Sequence, residues 1–137
     1  MIKALTGGKG AGKTKALIAQ VNEAVETAKG NVIFISNNTS SAMYDIKRAV
    51  RMIDTTDFDI VDYSEFEGFI CGIISGNYDI TNIFVDGLFK IVRGDDLDGL
   101  ERFLKRLENI SKKFGIAFVL SMSIDEKSAP DYVKALT

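Results

Sequence analysis

Three runs limit what this chain can fold into more than any other feature. They are Val32-Ile33-Phe34-Ile35-Ser36, Ile80-Thr81-Asn82-Ile83-Phe84-Val85-Asp86 and Ile116-Ala117-Phe118-Val119-Leu120. A strand with one wetted face alternates apolar and polar residues, but 32–35 and 116–120 are apolar over four and five consecutive positions, so both faces of those strands must be buried; 80–86 reads as another strand, ending in an acid. Strands of that kind belong to parallel sheets covered by helices on both sides. Segments of helical spacing lie between them. Leu17, Val21, Ala24, Val25 and Ala28 share one face, with Gly30 as a C-terminal stop. Leu97, Leu100, Phe103, Leu104, Leu107 and Ile110 share another, with Asp95 and Asp96 near the positive end of the helix dipole and Gly115 as its stop. Glu101–Lys105 and Glu108–Lys112 have the spacing of i,i+4 pairs on its exposed faces.

The rest of the chain fits this alternation. Residues 2–5 read as a short strand, residues 49–54 as a strand with helix as the alternative, and a short helix follows Pro130. Asp62 or Ser64 caps a helix running to about residue 75, in which Gly68, Gly72 and Gly76 recur every fourth residue. That spacing fits close approach of another backbone, from this chain or a second subunit, with Gly76 as an alternative helix stop. The expectation is an α/β protein: a three-layer αβα sandwich around a mostly parallel sheet of about five strands. With one proline, no repeat and no low-complexity linker, residues 1–137 read as a single domain.

Composition removes several functions. The chain has no histidine, so imidazole takes part in no catalytic or metal-binding scheme, and its one cysteine, Cys71, excludes an internal disulfide. A net charge of −2 disfavours a general DNA-binding surface, which carries a basic excess. No apolar run approaches the roughly 18–20 residues of a membrane span, and Met1–Leu5 runs into glycines rather than the apolar core of a signal peptide. The expected location is cytoplasmic, without membrane insertion. The charge is unevenly spread: residues 1–20 carry four lysines and no acid, residues 54–67 six acids and no base. The acidic run reads as solvated surface.

Gly7-Gly8-Lys9-Gly10-Ala11-Gly12-Lys13-Thr14 matches G-x-x-x-x-G-K-[ST] in full, after an expected strand and at the start of an expected helix. Glycines let successive backbone N–H groups converge on phosphate oxygens, and the helix adds unpaired N–H groups and the positive end of its dipole. Lys13 supplies a point charge for the β- and γ-phosphates, Thr14 a hydroxyl for Mg²⁺. Lys3, Lys9 and Lys15 enrich the positive field or are solvated. A second element is Ile83-Phe84-Val85-Asp86, in which Asp86 is a candidate carboxylate on the Mg²⁺ side, with a turn or helix cap as the alternative.

These two segments resemble those of P-loop NTPases, and the strand layout over residues 1–123 resembles the additional-strand, RecA-like branch of that superfamily. The resemblance implies ATP as ligand, Mg²⁺ as its companion, Gly7–Lys15 as the binding loop and Lys13 and Asp86 as the residues of catalysis. It also implies a strand between the P-loop strand and the Asp86 strand, formed by residues 116–121, with Ser121 or Ser123 as the polar sensor of the γ-phosphate. The whole chain is similar to small bacterial P-loop proteins sometimes labelled twitching-motility ATPases, although pilus-retraction motors carry a histidine box that a histidine-free chain lacks.

One departure bears on turnover. Many hydrolytic relatives carry glutamate directly after the aspartate to orient water, whereas Gly87 stands here. Asp54, Asp62 and Glu65 are the candidate replacements, and neither Arg51 nor Arg93 has the local signature of an arginine finger. The leading expectation is therefore a Mg²⁺-dependent ATP-binding protein with slow or partner-stimulated hydrolysis. The alternatives are a nucleotide-dependent switch or assembly module without turnover and, less favoured, a small-molecule kinase. A homo-oligomer or a protein partner would supply missing groups.

Overall fold

The computed structural model describes residues 1–137. Five strands, β1 (Ile2–Gly7), β2 (Asn31–Ser36), β3 (Arg51–Asp54), β4 (Ile80–Asp86) and β5 (Ala117–Ser123), form one sheet in the order β1-β5-β4-β2-β3. Every neighbouring pair is parallel. The helices are α1 (Lys13–Thr27), α2 (Tyr63–Ser75), α3 (Leu88–Ile91), α4 (Leu97–Phe114) and α5 (Asp131–Lys134), with single 3-10 turns at Thr39–Ser41 and Thr55–Asp57.

The uninterrupted apolar runs divide between two cores by strand alternation. Ile33, Ile35, Ile83, Val85, Phe118, Leu120 and Met122 point into the larger core, beneath α2, α3 and α4. Val32, Phe34, Phe84 and Val119 point the other way, against Leu17 and Val21 of α1 and Ala42, Ile46 and Val50 of the β2–β3 connection. The central strands are buried on both faces, and the expected α/β class is the one observed. β5 lies between β1 and β4, as the resemblance implied for residues 116–121. Register then sets the carboxyl edge: Gly7 lies beside Ser123, Val85 beside Leu120, and Ser36 beside both Asp86 and Asp54.

Several local expectations need correction. Residues 51–54 are strand, so the helical alternative for this segment fails. Gly30 does not stop α1, which ends at Thr27 with Ala28 in an extended conformation. Its role is close approach: a Cβ on Gly30 would lie 2.0 Å from the carbonyl oxygen of Asp79, which accepts the Asn31 N–H at 2.8 Å. Gly68 and Gly72 are exposed, and a Cβ on either would meet no non-neighbouring atom within 4 Å, so neither serves close packing within the chain. Helix periodicity explains this. Phe66, Ile70 and Ile74 turn to the core, and positions two residues later lie about 200° around the helix. Asp62, rather than Ser64, caps α2, accepting the Glu65 N–H at 2.8 Å.

In α4 the apolar face is as expected from Leu100 to Leu107, but Leu97 is 46% exposed because it opens the helix beyond the core. Gly115 closes the helix at φ +67°, a left-handed conformation suited to glycine. Glu101–Lys105 and Glu108–Lys112 form no ion pair; the pairs present are Lys47–Glu26, Arg93–Asp59 and Arg106–Glu67. Exposed pairs contribute only about 0.3–0.5 kcal/mol on a helix, too little to hold two solvated side chains in one geometry.

Gly30→Ala should destabilise the chain by about 1–3 kcal/mol through overpacking against the Asp79 carbonyl. Gly72→Ala should be neutral or stabilise it by up to about 1 kcal/mol through helix propensity. Urea unfolding of the two variants checks both, and a large loss in Gly72→Ala would restore a packing role for that glycine.

Candidate functional site

The loop between β1 and α1 is built on backbone conformations that side chains resist. Gly7, Gly10 and Gly12 have φ of +144°, +80° and +84°. At Gly7 a Cβ would also lie 3.1 Å from Ala11 Cβ. Gly12 caps α1 without a side-chain hydrogen bond, and no acid occupies the first turn. The opening N–H groups and the positive end of the dipole therefore face outward without a fixed anion.

Lys13 bends back over this loop, its Nζ donating to the carbonyl oxygens of Gly7 and Gly8 at 2.8 Å each. Burial lowers its pKa from the ordinary lysine value; Asp86 opposes that shift and the nearby charge of Lys90 adds to it. Thr14 Oγ1 donates toward both oxygens of Asp86, at 3.1 and 3.2 Å. Ser121 Oγ donates to Asp86 Oδ1 at 2.9 Å and accepts the Gly87 N–H at 2.8 Å. One carboxylate thus ties the end of β4 to the first turn of α1 and to β5. Ser123 lies on the same edge but is exposed, whereas Ser121 is buried and committed to Asp86.

A cleft of about 890 Å³ opens over this edge, within the range of small-molecule sites. Phe89 is its only apolar lining residue. Lys9, Lys13, Lys15 and Lys90 face Asp86 and Asp95 across it, an excess of positive charge in a chain that is negative overall. Lys3 belongs to the opposite end of β1, beside Val119 in the register, and does not line the cleft.

The candidate replacement carboxylates are elsewhere, each occupied by backbone capping. Asp54 accepts from the backbone and hydroxyl of both Thr39 and Thr56, which hold its pKa down to about 2, the Thr56 hydroxyl contributing most. Asp62 caps α2, and Glu65 accepts the Val61 N–H at 2.8 Å. Neither Arg51 nor Arg93 lines the cleft, and Arg93 pairs loosely with Asp59 at 3.8 Å.

Sequence reading missed the other wall. Ser36 ends β2, the neighbour of β4, and Asn37 and Asn38 follow it; they bring amide and hydroxyl groups to the cleft without a carboxylate. The signal was present, since polar residues ending a doubly buried strand mark the edge where ligands collect. Lys90 and Asp95 had no such signal, because the α3 turn that carries one and precedes the other leaves no periodic trace over four residues.

No protein-family model matches the sequence, and no curated protein matches it. Among solved structures, the chain resembles a KaiC-like protein from the hyperthermophilic archaeon Pyrococcus horikoshii OT3. The TM-score is 0.69 at 15% identity, covering 98% of this chain and 67% of the other. The likeness is one of fold, which in this chain is a five-stranded parallel sheet sheathed by helices. No helix is long and apolar enough to cross a membrane.

Replacing Asp54 tests its structural role. Asp54→Ala should cost about 1 kcal/mol at pH 7 through loss of the cap on residues 55–57. Because the folded pKa is depressed, this contribution is complete above the ordinary carboxylate pKa and lost as pH falls through about 2. Urea midpoints of variant and parent should therefore converge between about pH 4 and pH 2, and a gap independent of pH would contradict the role.

Proposed function

We propose that the chain binds ATP as its Mg²⁺ complex and hydrolyses it slowly, or only when a partner completes the site. One observation carries this reading: the Lys13 ammonium, the Thr14 hydroxyl and the Asp86 carboxylate meet at the mouth of a loop whose glycines take positive φ. The loop N–H groups receive phosphate oxygens, and Lys13 exchanges two carbonyl acceptors for β- and γ-phosphate oxygens. The metal fits the donors present. Thr14 and Asp86 offer hard oxygens, and no cluster of three acidic, cysteine or histidine residues forms a dedicated cage. That is the donor set of Mg²⁺, which keeps several waters and shares the phosphates. When bound, Mg²⁺ draws negative charge from the phosphate oxygens. Ser121 holds the Asp86 carboxylate in place for this task.

Slow turnover follows from the groups that surround the terminal phosphate. Gly87 stands where the usual glutamate would be, and Ser36, Asn37 and Asn38 at the end of the adjacent strand carry no carboxylate, so the one other acid lining the cleft is Asp95, from the loop before α4. The same observation favours a second reading, a nucleotide-dependent switch or assembly module that binds without appreciable hydrolysis. Under the first reading, a second copy or another protein would supply the arginine or acid that turnover needs.

Calorimetry with Mg·ATP together with a phosphate-release assay separates these readings. Tight binding with weak release supports the first, and binding without release supports the switch. Lys13→Ala should reduce ATP affinity by about a hundredfold or more while leaving the thermal midpoint nearly unchanged, because it removes a charge-assisted contact. Unaltered affinity in the folded variant would remove the loop from the ligand site. Asp86→Asn should weaken binding in Mg²⁺ more than in EDTA, and equal losses would take Asp86 out of the metal's surroundings.

A further inference from the structure

We propose that Lys90 is a second cation for the terminal phosphate, supplied from within the chain, so that the site distinguishes a nucleoside triphosphate from its diphosphate. This rests on the nucleotide-binding reading above. The geometry begins at Gly87, whose φ of +74° turns the chain sharply after Asp86 and launches α3. Three anchors hold that turn: the Gly87 N–H bond to Ser121, and the buried side chains of Leu88 and Ile91. With 88 and 91 facing the core, Phe89 and Lys90 are left facing the cleft, and both line it.

The stem of Lys90 runs back over the turn. Its Cβ, Cγ and Cδ lie 3.7–4.0 Å from the place a Cβ on Gly87 would occupy. The region just past Asp86, where hydrolytic relatives carry a carboxylate, therefore holds the stem of a cation. Lys90 forms no ion pair, unlike Lys47, Arg93 and Arg106, although Asp86 and Asp95 line the same cleft. Lys90 lines the same cleft as Lys13, close enough for its charge to be felt there against the larger opposing influence of Asp86, and an anion lying between the two ammonium groups would engage both.

The position selects the phosphate. The loop and the start of α1 surround the inner phosphates, and Asp86 marks the end where the metal and the outermost phosphate lie. A cation from the turn directly after Asp86 reaches that end. A diphosphate presents nothing there, so the contact counts only for the triphosphate.

Titration of the full chain with Mg·ATP and Mg·ADP, for the parent and for Lys90→Gln and Lys90→Arg, tests the assignment. Lys90→Gln should lose about tenfold or more in ATP affinity and less than about twofold in ADP affinity, as expected for one charge-assisted contact. Lys90→Arg should keep the parent's ATP-to-ADP ratio within about threefold. Parent binding of ATP with the ratio unchanged in Lys90→Gln would overturn the role of Lys90 and leave the nucleotide reading standing. Equal losses for both nucleotides would also overturn it, since they would place the charge at an inner phosphate. A parent that binds neither nucleotide would overturn both.

Discussion

The carboxylate of Asp86 is the contact on which the site depends. It accepts from Thr14 on α1 and from Ser121 on β5, so one side chain joins three elements that are distant in sequence. The parallel register makes this economical. All five carboxyl ends lie along one edge, and a single residue at the end of β4, the central strand, reaches both the first turn of α1 and the neighbouring β5. Ser121 extends the link by accepting the Gly87 N–H, so the turn leading to Lys90 is fixed by the same group that fixes the carboxylate. A shift of β5 relative to β4 would therefore disturb the loop, the carboxylate and the α3 turn together.

Much of this was legible in the chain because the relevant signals are local and periodic. Doubly apolar runs announce a parallel sheet, and the eight-residue loop motif has a physical meaning only between a strand and a helix. What escaped was information held by approach between distant segments. Gly30 reads as a helix stop because glycine follows many helices, yet its requirement comes from the Asp79 carbonyl, forty-nine positions away. The Gly68-Gly72-Gly76 column reads as a packing surface until the phase of Phe66, Ile70 and Ile74 places it toward solvent. Asp54 sits at the carboxyl edge, as a candidate base should, but Thr39 and Thr56 occupy its oxygens. No pattern along the chain announces that capture.

Charge shows the same separation between whole and part. The chain is acidic overall, yet its cleft gathers four lysines against two aspartates. At physiological ionic strength the Debye length is about 8 Å, so a ligand inside the cleft responds most strongly to the charges that line it. Net charge argues against a broad nucleic-acid surface while leaving room for a small polyanion, and the two statements act at different distances.

The resting position of Lys13 sets a limit on how tightly such an anion can be held. Its ammonium already donates to the Gly7 and Gly8 carbonyls, so a phosphate replaces two satisfied hydrogen bonds rather than filling an open one. Only the difference between a charged and a neutral acceptor contributes to affinity, and charge-assisted bonds are roughly twice as strong as neutral ones. Release of Lys13 also frees the two carbonyls, which then need water. Lys90 has no hydrogen-bond acceptor within the chain and bears no such cost. A site in which one cation is exchanged and another is simply engaged would draw its preference for the longer phosphate chain from the second, even though the first is the residue that its sequence motif makes conspicuous.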